Sequence, residues 1–315
     1  MKTLFFGTPE LAVPFLELFA KKTQLLAVVT TPDEPSGRGY AVRPPPVKQA
    51  AEKLKLPVLQ PMTLKDNDFL DRLSAYSPDV VFVVAYGKIL PPELLKIPRQ
   101  GFINVHFSLL PLYRGAAPIQ RALMQGEKRT GVSLFWLDEG MDTGPLFLQK
   151  EIPIREDDDA ETLRGKLIPL GLEALQEVLD LLAKGQVIRK PQSGPSSLAP
   201  SLKKDEGKID WNQPAPAIVN LTRGTTPWPG AYTLLTSGGK SRRLKILKAQ
   251  TLASFPSENR GKIGAVVGLE SGRGFIVKCG REFLQIHLVQ PEGKRPMSAW
   301  DFWQGARLKL GEILG

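Results

Sequence analysis

Residues 101–107 of this 315-residue chain read Gly-Phe-Ile-Asn-Val-His-Phe. The apolar residues of this run are typical of a buried strand. Because side chains alternate along a strand, Asn104 and His106 project from the same face. Buried polar groups need hydrogen-bond partners or a ligand, so this pair marks the strand end as a candidate site.

Similar apolar runs precede this strand at residues 4–6, 25–30 and 80–85, and residues 9–20, 47–56 and 66–75 between them have helical spacing. Strand and helix in alternation predict a parallel sheet covered by helices, which is a Rossmann-like α/β domain. A helix over 116–125, strands over 131–137 and 146–152, and a long amphipathic helix over 157–184 complete the predicted domain.

A change of character follows at residues 189–206, where three Pro, one Gly and four Ser occur in eighteen residues. This composition predicts a linker between domains at 1–188 and 207–315. The last part contains five short strand-like runs, at 232–236, 244–248, 264–267, 275–279 and 283–289. Their number and length predict a small β-barrel of the OB type, followed by a helix over 298–310.

The charge is unevenly distributed. Residues 1–188 carry 22 Lys and Arg against 23 Asp and Glu, whereas residues 207–315 carry 16 against 7, a net charge of +9. A basic module beside a neutral one indicates a polyanionic partner, most often nucleic acid. The alternative is a basic surface that serves only solubility.

The polar pair has a third candidate member in Asp142, which lies in a loop bracketed by Gly140 and Gly144. A carboxylate there is able to orient His106, and the three groups together supply two polarising side chains and an acid–base for acyl transfer. The alternative is structural: a buried histidine satisfied by an aspartate, with the asparagine capping a loop.

Several other classes of protein are disfavoured. The first turn, Gly7-Thr8-Pro9-Glu10, has one glycine where a dinucleotide fingerprint needs three. With only two histidines and the single cysteine, Cys279, no zinc site and no metal is expected, and the lone cysteine fits a reducing cytoplasm. No apolar run approaches the length of a membrane span, and the N-terminal run is too short for a signal peptide.

Longer motifs surround the polar residues, and together they resemble the folate-dependent formyltransferases. Within that family the resemblance is to the members that act on methionyl-tRNA, and it extends along nearly the whole chain. The motifs are Phe5-Phe6-Gly7-Thr8-Pro9, Ser36-Gly37-Arg38-Gly39, Val84-Ala85-Tyr86-Gly87-Lys88-Ile89-Leu90-Pro91, His106-Phe107-Ser108-Leu109-Leu110-Pro111, Arg114-Gly115-Ala116-Ala117-Pro118-Ile119-Gln120, Gly140-Met141-Asp142-Thr143-Gly144 and Lys208-Ile209-Asp210-Trp211.

The resemblance implies a reaction in which 10-formyltetrahydrofolate is the formyl donor and the α-amino group of initiator methionyl-tRNA is the acceptor. It implies that Asn104 and His106 donate hydrogen bonds to the oxyanion and that Asp142 holds the histidine and assists proton transfer. A neutral His106 acting as general base is the mechanistic alternative.

The resemblance also implies the folate site, in which the backbone of residues 86–90 receives the pterin and residues 138–142 close the other side. A plain exit from a strand explains the Gly and Pro of the first loop equally well. The residues assigned to the folate are Tyr86, Gly87, Lys88, Ile89, Leu90, Ser108, Leu109, Leu110, Pro111, Asp138 and Gly140.

For the tRNA, the resemblance and the charge together assign Arg38, Lys203, Lys204, Arg243 and Lys245. Solvated loop and linker charges are the alternative. The aromatic residues Trp228, Trp300, Phe302 and Trp303 are interpreted as core. We expect a cytoplasmic monomer, and the closest rival activity is that of a hydrolase that deformylates the folate with water.

Overall fold

The computed structural model describes residues 1–36, 41–237, 240–255, 261–306 and 308–315. They form two compact units, the first of residues 1–118, 129–152 and 165–200 and the second of residues 119–128, 153–164 and 201–315. Residues 189–200 of the predicted linker group with the first unit and 201–206 with the second. The domain boundaries drawn from the sequence stay a prediction.

The elements up to residue 183 alternate much as the sequence predicts. The strands are β1 Lys2–Gly7, β2 Gln24–Val29, β3 Glu34–Ser36, β4 Ala41–Arg43, β5 Val58–Leu59, β6 Val80–Val84, β7 Phe102–His106, β8 Arg129–Trp136 and β9 Leu146–Pro153. The helices are α1 Val13–Lys22, α2 Pro46–Lys53, α3 Asn67–Ala75, α4 Pro92–Leu95, α5 Pro118–Gln125 and α6 Ala160–Ala183.

The main sheet has the order β5-β2-β1-β6-β7-β8-β9. Strands β5, β2, β1, β6 and β7 pair in parallel, and β8 pairs antiparallel with β7. The predicted Rossmann-like α/β architecture is therefore confirmed, with an antiparallel strand added at the β7 edge.

Both faces of the parallel strands are buried, which explains their nearly continuous apolar sequences. All five residues of β6, Val-Val-Phe-Val-Val, are buried. On one face Phe6 packs against Tyr86 and Phe102, with ring centroids 5.2 and 5.7 Å away. On the other, Phe82 packs on Phe19 of α1, with centroids 4.3 Å apart. The packed core on both faces therefore holds the carboxyl ends of the strands in place.

The second unit is built on a curled antiparallel sheet, a half-barrel consistent with the predicted OB-like domain. Its order is β10-β11-β14-β13-β12, and β15 pairs with β14. The helix α7 was not predicted from the sequence. The elements are α7 Ala215–Thr225, β10 Tyr232–Ser237, β11 Lys240–Leu252, β12 Val266–Glu270, β13 Gly274–Lys278, β14 Phe283–Pro291, β15 Met297–Ser298 and α8 Ala299–Ala306.

Of the four aromatic residues interpreted as core, Phe302 and Trp303 belong to it, Trp300 is partly exposed, and the interpretation is wrong for Trp228. Phe302 is buried, and Trp303 is partly buried against the same core. Trp228 is 56% exposed. It lies in the turn between α7 and β10, outside both elements.

Across the described ranges no helix combines the length and the apolar character that a membrane span requires. The same part of the chain contains no group of three or more His, Cys, Asp or Glu side chains arranged to hold a metal ion.

Substitution by alanine should have opposite effects on stability at two glycines of the first unit. In Gly131→Ala the new methyl group would collide with the Lys150 carbonyl oxygen and lie 2.6 Å from Leu109 Cδ2. We expect a loss of about 1–3 kcal/mol in the free energy of unfolding. Gly165 is exposed within α6 with no atom within 4 Å of an added Cβ, so Gly165→Ala should gain about 0.5–1 kcal/mol. Urea denaturation measures both, and equal changes in the free energy of unfolding would contradict the close contacts of Gly131 with Lys150 and Leu109.

Candidate active site

Asn104 and His106 lie at the carboxyl end of β7, on the same face as Phe102. Asn104 is flanked by Val83 of β6 and by Phe135 of β8. The His106 side chain is only 5% exposed, whereas Asn104 is partly exposed. The Asn104 amide forms no hydrogen bond with any residue that the structure describes. It is therefore a half-buried donor and acceptor that is available to a ligand.

His106 is held between two oxygen atoms. Its Nε2 lies 2.9 Å from the Tyr113 carbonyl oxygen, and its Nδ1 lies 3.6 Å from Asp142 Oδ2. A carbonyl oxygen only accepts, so Nε2 carries a proton and donates it. Burial lowers the pKa of His106, and the nearby Asp142 carboxylate opposes that shift without overcoming it. In the neutral ring, Nδ1 therefore presents a lone pair toward the carboxylate.

Asp142 belongs to a loop of residues 137–145, named here the Asp142 loop. Its Oδ2 accepts a hydrogen bond from the backbone N–H of Gly115 at 2.7 Å. Its φ is 52°, and Tyr113, whose carbonyl binds His106, has φ 61°. Left-handed backbone at non-glycine residues costs free energy and is concentrated at functional sites. The two residues that contact the histidine are both held in this strained conformation.

Gln192 fastens the Asp142 loop, and sequence reasoning missed it. Its Nε2 donates to the carbonyl oxygens of Asp142 and Gly144, each at 2.8 Å, and its Oε1 accepts from Arg114 Nη2 at 2.7 Å. Nearby, Ser197 accepts from the backbone of Tyr113 and of Arg114. The Pro- and Ser-rich composition around Gln192 carried no signal for this role.

Residues 85–91, the Tyr86 loop, leave β6 beside Asn104. Ala85 has φ 48° and Gly87 has φ 85°, so the chain turns sharply here. Tyr86 is buried, its hydroxyl has no hydrogen-bond partner among the described residues, and burial raises its pKa to about 12. Lys88 and Ile89 are exposed, Ile89 by 83%, while Leu90 is buried.

Residues 108–111 form the turn that follows β7. Ser108 Oγ donates to the Leu112 carbonyl at 2.6 Å, and Ser133 Oγ donates to the Ser108 carbonyl at 2.6 Å. The N–H and carbonyl of Leu110 bond to Ser133 and Gln149, while Leu109 and Pro111 are partly exposed. Much of the turn's backbone is therefore used in shaping the path to Tyr113.

The Asp142 loop also contains the remaining residues assigned to the folate. Asp138 Oδ1 accepts from the Gly140 N–H at 3.1 Å and from Thr143 Oγ1 at 2.6 Å, and both Asp138 and Gly140 are exposed. Met141 is 58% exposed. An exposed methionine beside the candidate site was not singled out from the sequence.

Four of the five residues assigned to tRNA lie in the second unit, and Arg38 lies outside the described residues. Lys203 and Lys204 are exposed at the start of a 3-10 turn that ends at Gly207. Arg243 is exposed, with its guanidinium 4.4 Å from the Tyr232 ring centroid, and Lys245 is partly buried.

Comparison with known proteins identifies the family. Residues 1–179 match the model of the formyl transferase family, and residues 201–307 match that of the formyl transferase C-terminal domain. The chain belongs to the formyl transferase family. It is 48% identical to the methionyl-tRNA formyltransferase of Thermodesulfovibrio yellowstonii, over 98% of this chain and 97% of that one. It is 44% identical to that of Thermus thermophilus, over 100% and 99%.

Solved structures support the same fold for this formyl transferase. WlaRD, a sugar 3N-formyl transferase, is 20% identical with a TM-score of 0.66, covering 94% of this chain and 99% of that chain. The N-formyltransferase of Helicobacter canadensis is 19% identical with a TM-score of 0.65, covering 92% and 99%. The expected one-carbon transferase family is therefore confirmed, while the roles of individual site residues stay a prediction.

The lowered pKa of His106 predicts a pH dependence of stability. In the unfolded chain the imidazole returns to its ordinary pKa of 6.5, so just below that pH the unfolded state binds more protons than the folded state. The free energy of unfolding should therefore fall as the pH drops below 6.5 and recover above it. Urea denaturation between about pH 5 and pH 8 measures this slope.

His106→Gln should flatten that slope, and His287→Gln, which removes the other histidine of the chain, should leave it in place. Groups whose pKa is lowered, such as Asp33 and Glu206, lose their contribution only at more acidic pH. An unchanged slope in His106→Gln would show that the imidazole is not buried in its neutral form.

Proposed function

We propose that this formyl transferase moves the formyl group of 10-formyltetrahydrofolate to the α-amino group of initiator methionyl-tRNA, acting as a cytoplasmic monomer. The full-length relatives named methionyl-tRNA formyltransferase support the choice of acceptor. The observation that carries the chemistry is the buried His106–Asp142 contact beside the unpaired amide of Asn104.

The attacking amine needs little activation. An α-amino group has a pKa of about 8, so a useful fraction is neutral at cellular pH. Attack forms the new N–C bond, and the bond from the formyl carbon to N10 of the folate then breaks with its electron pair on N10. The protein has to position the amine, stabilise the developing negative charge and move one proton from the amine to N10.

Asn104 is the donor for the formyl oxygen as negative charge develops on it. Its amide is partly exposed at the strand end and forms no hydrogen bond with the described residues. An N–H placed there before reaction needs no reorganisation, and removing such a donor costs about 2.7–4 kcal/mol of barrier in other acyl-transfer enzymes.

The His106–Asp142 pair is the acceptor for the amine proton. With Nε2–H committed to the Tyr113 carbonyl, Nδ1 is the basic atom, and its lone pair faces Asp142 Oδ2. Once Nδ1 is protonated, the carboxylate stabilises the imidazolium, and the pair returns the proton toward N10. These contacts favour the base role of His106 over donation to the oxyanion.

The Tyr86 loop and the Asp142 loop are the two sides proposed for the pterin. Each carries an exposed apolar side chain, Ile89 and Met141, able to cover a flat ring. The open space around Gly87 allows close approach of the backbone. The residues proposed to line the folate are those predicted from the sequence, in these two loops and in the turn at 108–111.

Formyl transfer from 10-formyltetrahydrofolate, offered to methionyl-tRNA and to water in parallel, tests this function. We expect formyl-methionyl-tRNA, with kcat lowered about 100- to 1000-fold in Asn104→Ala through loss of an oxyanion donor. Asp142→Asn should lower kcat about 100-fold because the imidazolium loses its counter-charge.

The matched control is Asp71→Asn on the exposed side of α3, which should keep full activity. Thermal melting confirms that each variant folds. Deformylation of the folate without transfer to tRNA would replace this function with the hydrolase.

Gln192→Ala tests the support of the Asp142 loop. Loss of its hydrogen bonds to the carbonyls of Asp142 and Gly144 should lower kcat about tenfold through misplacement of the carboxylate, with the KM for tRNA unchanged. Gln176→Ala, which removes a hydrogen bond to Asp180 on α6, is the control.

A double-mutant cycle separates positioning from general damage. In an Asp142→Asn background Gln192→Ala should have little further effect on kcat, because the group that it positions is already gone. A full additional loss would mean that Gln192 acts on something other than Asp142.

A further inference from the structure

The second unit presents an exposed tryptophan that the proposed chemistry does not use. Trp228 lies in the loop of residues 226–230, and 56% of its surface faces solvent. Tryptophan offers a large flat apolar surface and is usually covered by the protein. A solvent-facing indole is therefore a candidate contact for a partner.

The loop that carries Trp228 is well anchored. The Gly230 N–H donates to the Thr225 carbonyl at 2.9 Å. Thr225 Oγ1 and Thr226 Oγ1 donate to the carbonyls of Leu221 and Thr222 in the last turns of α7, at 2.7 and 2.8 Å. These bonds fix both ends of a loop that holds the indole outward.

The Lys245 side chain lies against this loop, and the turn that carries Lys203 and Lys204 ends next to it. Atoms of the Lys245 side chain, Nζ included, lie 3.1 Å from where a Gly230 Cβ would be. On its other side, Pro229 Cγ lies 3.4 Å from where a Gly207 Cβ would be, and Gly207 ends the 3-10 turn that follows Lys203 and begins at Lys204. Arg243 packs on the ring of Tyr232, the residue registered opposite Lys245 in the neighbouring strand. The Trp228 surface is defined here as Trp228, Lys203, Lys204, Lys245 and Arg243.

The acidic groups next to this surface are largely engaged. Glu206 is paired with Arg121 at 2.6 Å, and Glu292 accepts from the backbone N–H of Arg243 at 3.2 Å. Asp205 is exposed. Four cations against the two exposed carboxylates of Asp205 and Glu292 leave the surface net positive.

An exposed tryptophan together with lysine and arginine side chains indicates which kind of partner this surface binds. Cores of protein–protein interfaces are depleted in lysine, whereas proteins that hold single-stranded nucleic acid combine an aromatic platform with lysine and arginine along the phosphate path. We propose that Trp228 is a stacking platform for an unpaired nucleotide of the tRNA, with Lys245, Lys203, Lys204 and Arg243 on its flanking phosphates. This inference rests on the proposed function for the identity of the nucleic acid.

Equilibrium binding of uncharged tRNA to the full chain tests the platform without using the activity. Trp228→Ala should weaken binding about tenfold, a typical effect of losing one stacked base. Leu310→Ala is the matched control, because Leu310 is also 56% exposed but is followed by Gly311, whose N–H bonds to Val266 of β12 and not to the Trp228 loop. It should bind tRNA as the parent does.

Trp228→Phe keeps an aromatic face and guards against a folding defect in the alanine variant. It should bind tRNA within about threefold of the parent, since every aromatic ring offers a stacking face. Quenching of tryptophan fluorescence by tRNA should be reduced in this variant. Lys245→Ala should lower the slope of log affinity against log salt by about 1, and Trp228→Ala should leave that slope unchanged.

Parent-like affinity in Trp228→Ala, or unreduced quenching in Trp228→Phe, would overturn the platform. A parent protein that binds tRNA through Trp228 but forms no formyl-methionyl-tRNA would overturn the proposed function instead. The two failures are thus read from different assays.

Discussion

The burial of His106 at the end of β7 is the constraint on which the site depends. A buried imidazole needs partners for both nitrogens, and here they come from segments far apart in the sequence. The turn at 108–114 delivers the Tyr113 carbonyl, and the Asp142 loop delivers the carboxylate. Each segment accepts a left-handed residue to do so. The strain at Tyr113 and Asp142 is the cost of enclosing one histidine.

That enclosure extends beyond the sheet through Gln192 and Ser197. Gln192 joins Arg114 to the Asp142 loop, and Ser197 accepts from the turn that carries Tyr113. A Pro- and Ser-rich segment thus provides the outer support of the site. The contacts of this segment with the site are hydrogen bonds, and one glutamine side chain with two donors and an acceptor is enough to hold two loops.

Much of the fold was predictable because its signals are local. The continuous apolar run of β6 and the spacing of Asn104 and His106 depend only on strand geometry. The helix α7, the support from Gln192 and the exposure of Trp228 were not predictable, because each depends on what packs against it. Trp228 is exposed and Trp211 is buried, but the sequence around them does not distinguish the two. Only the fold separates an aromatic residue that fills a core from one that faces solvent.

The distribution of charge suggests how binding and chemistry are divided in the proposed reaction. Residues 1–188 are nearly neutral, and the excess charge of residues 207–315 acts only over about 8 Å at physiological salt. Phosphate contacts therefore supply affinity where they lie, and affinity alone lowers KM without raising kcat. For a neutral amine the remaining task is orientation, so tRNA binding speeds the reaction only as far as it fixes the aminoacyl end against Asn104 and the His106–Asp142 pair. In the proposed reaction, basic residues that supply affinity and a separate site that supplies orientation together meet both needs.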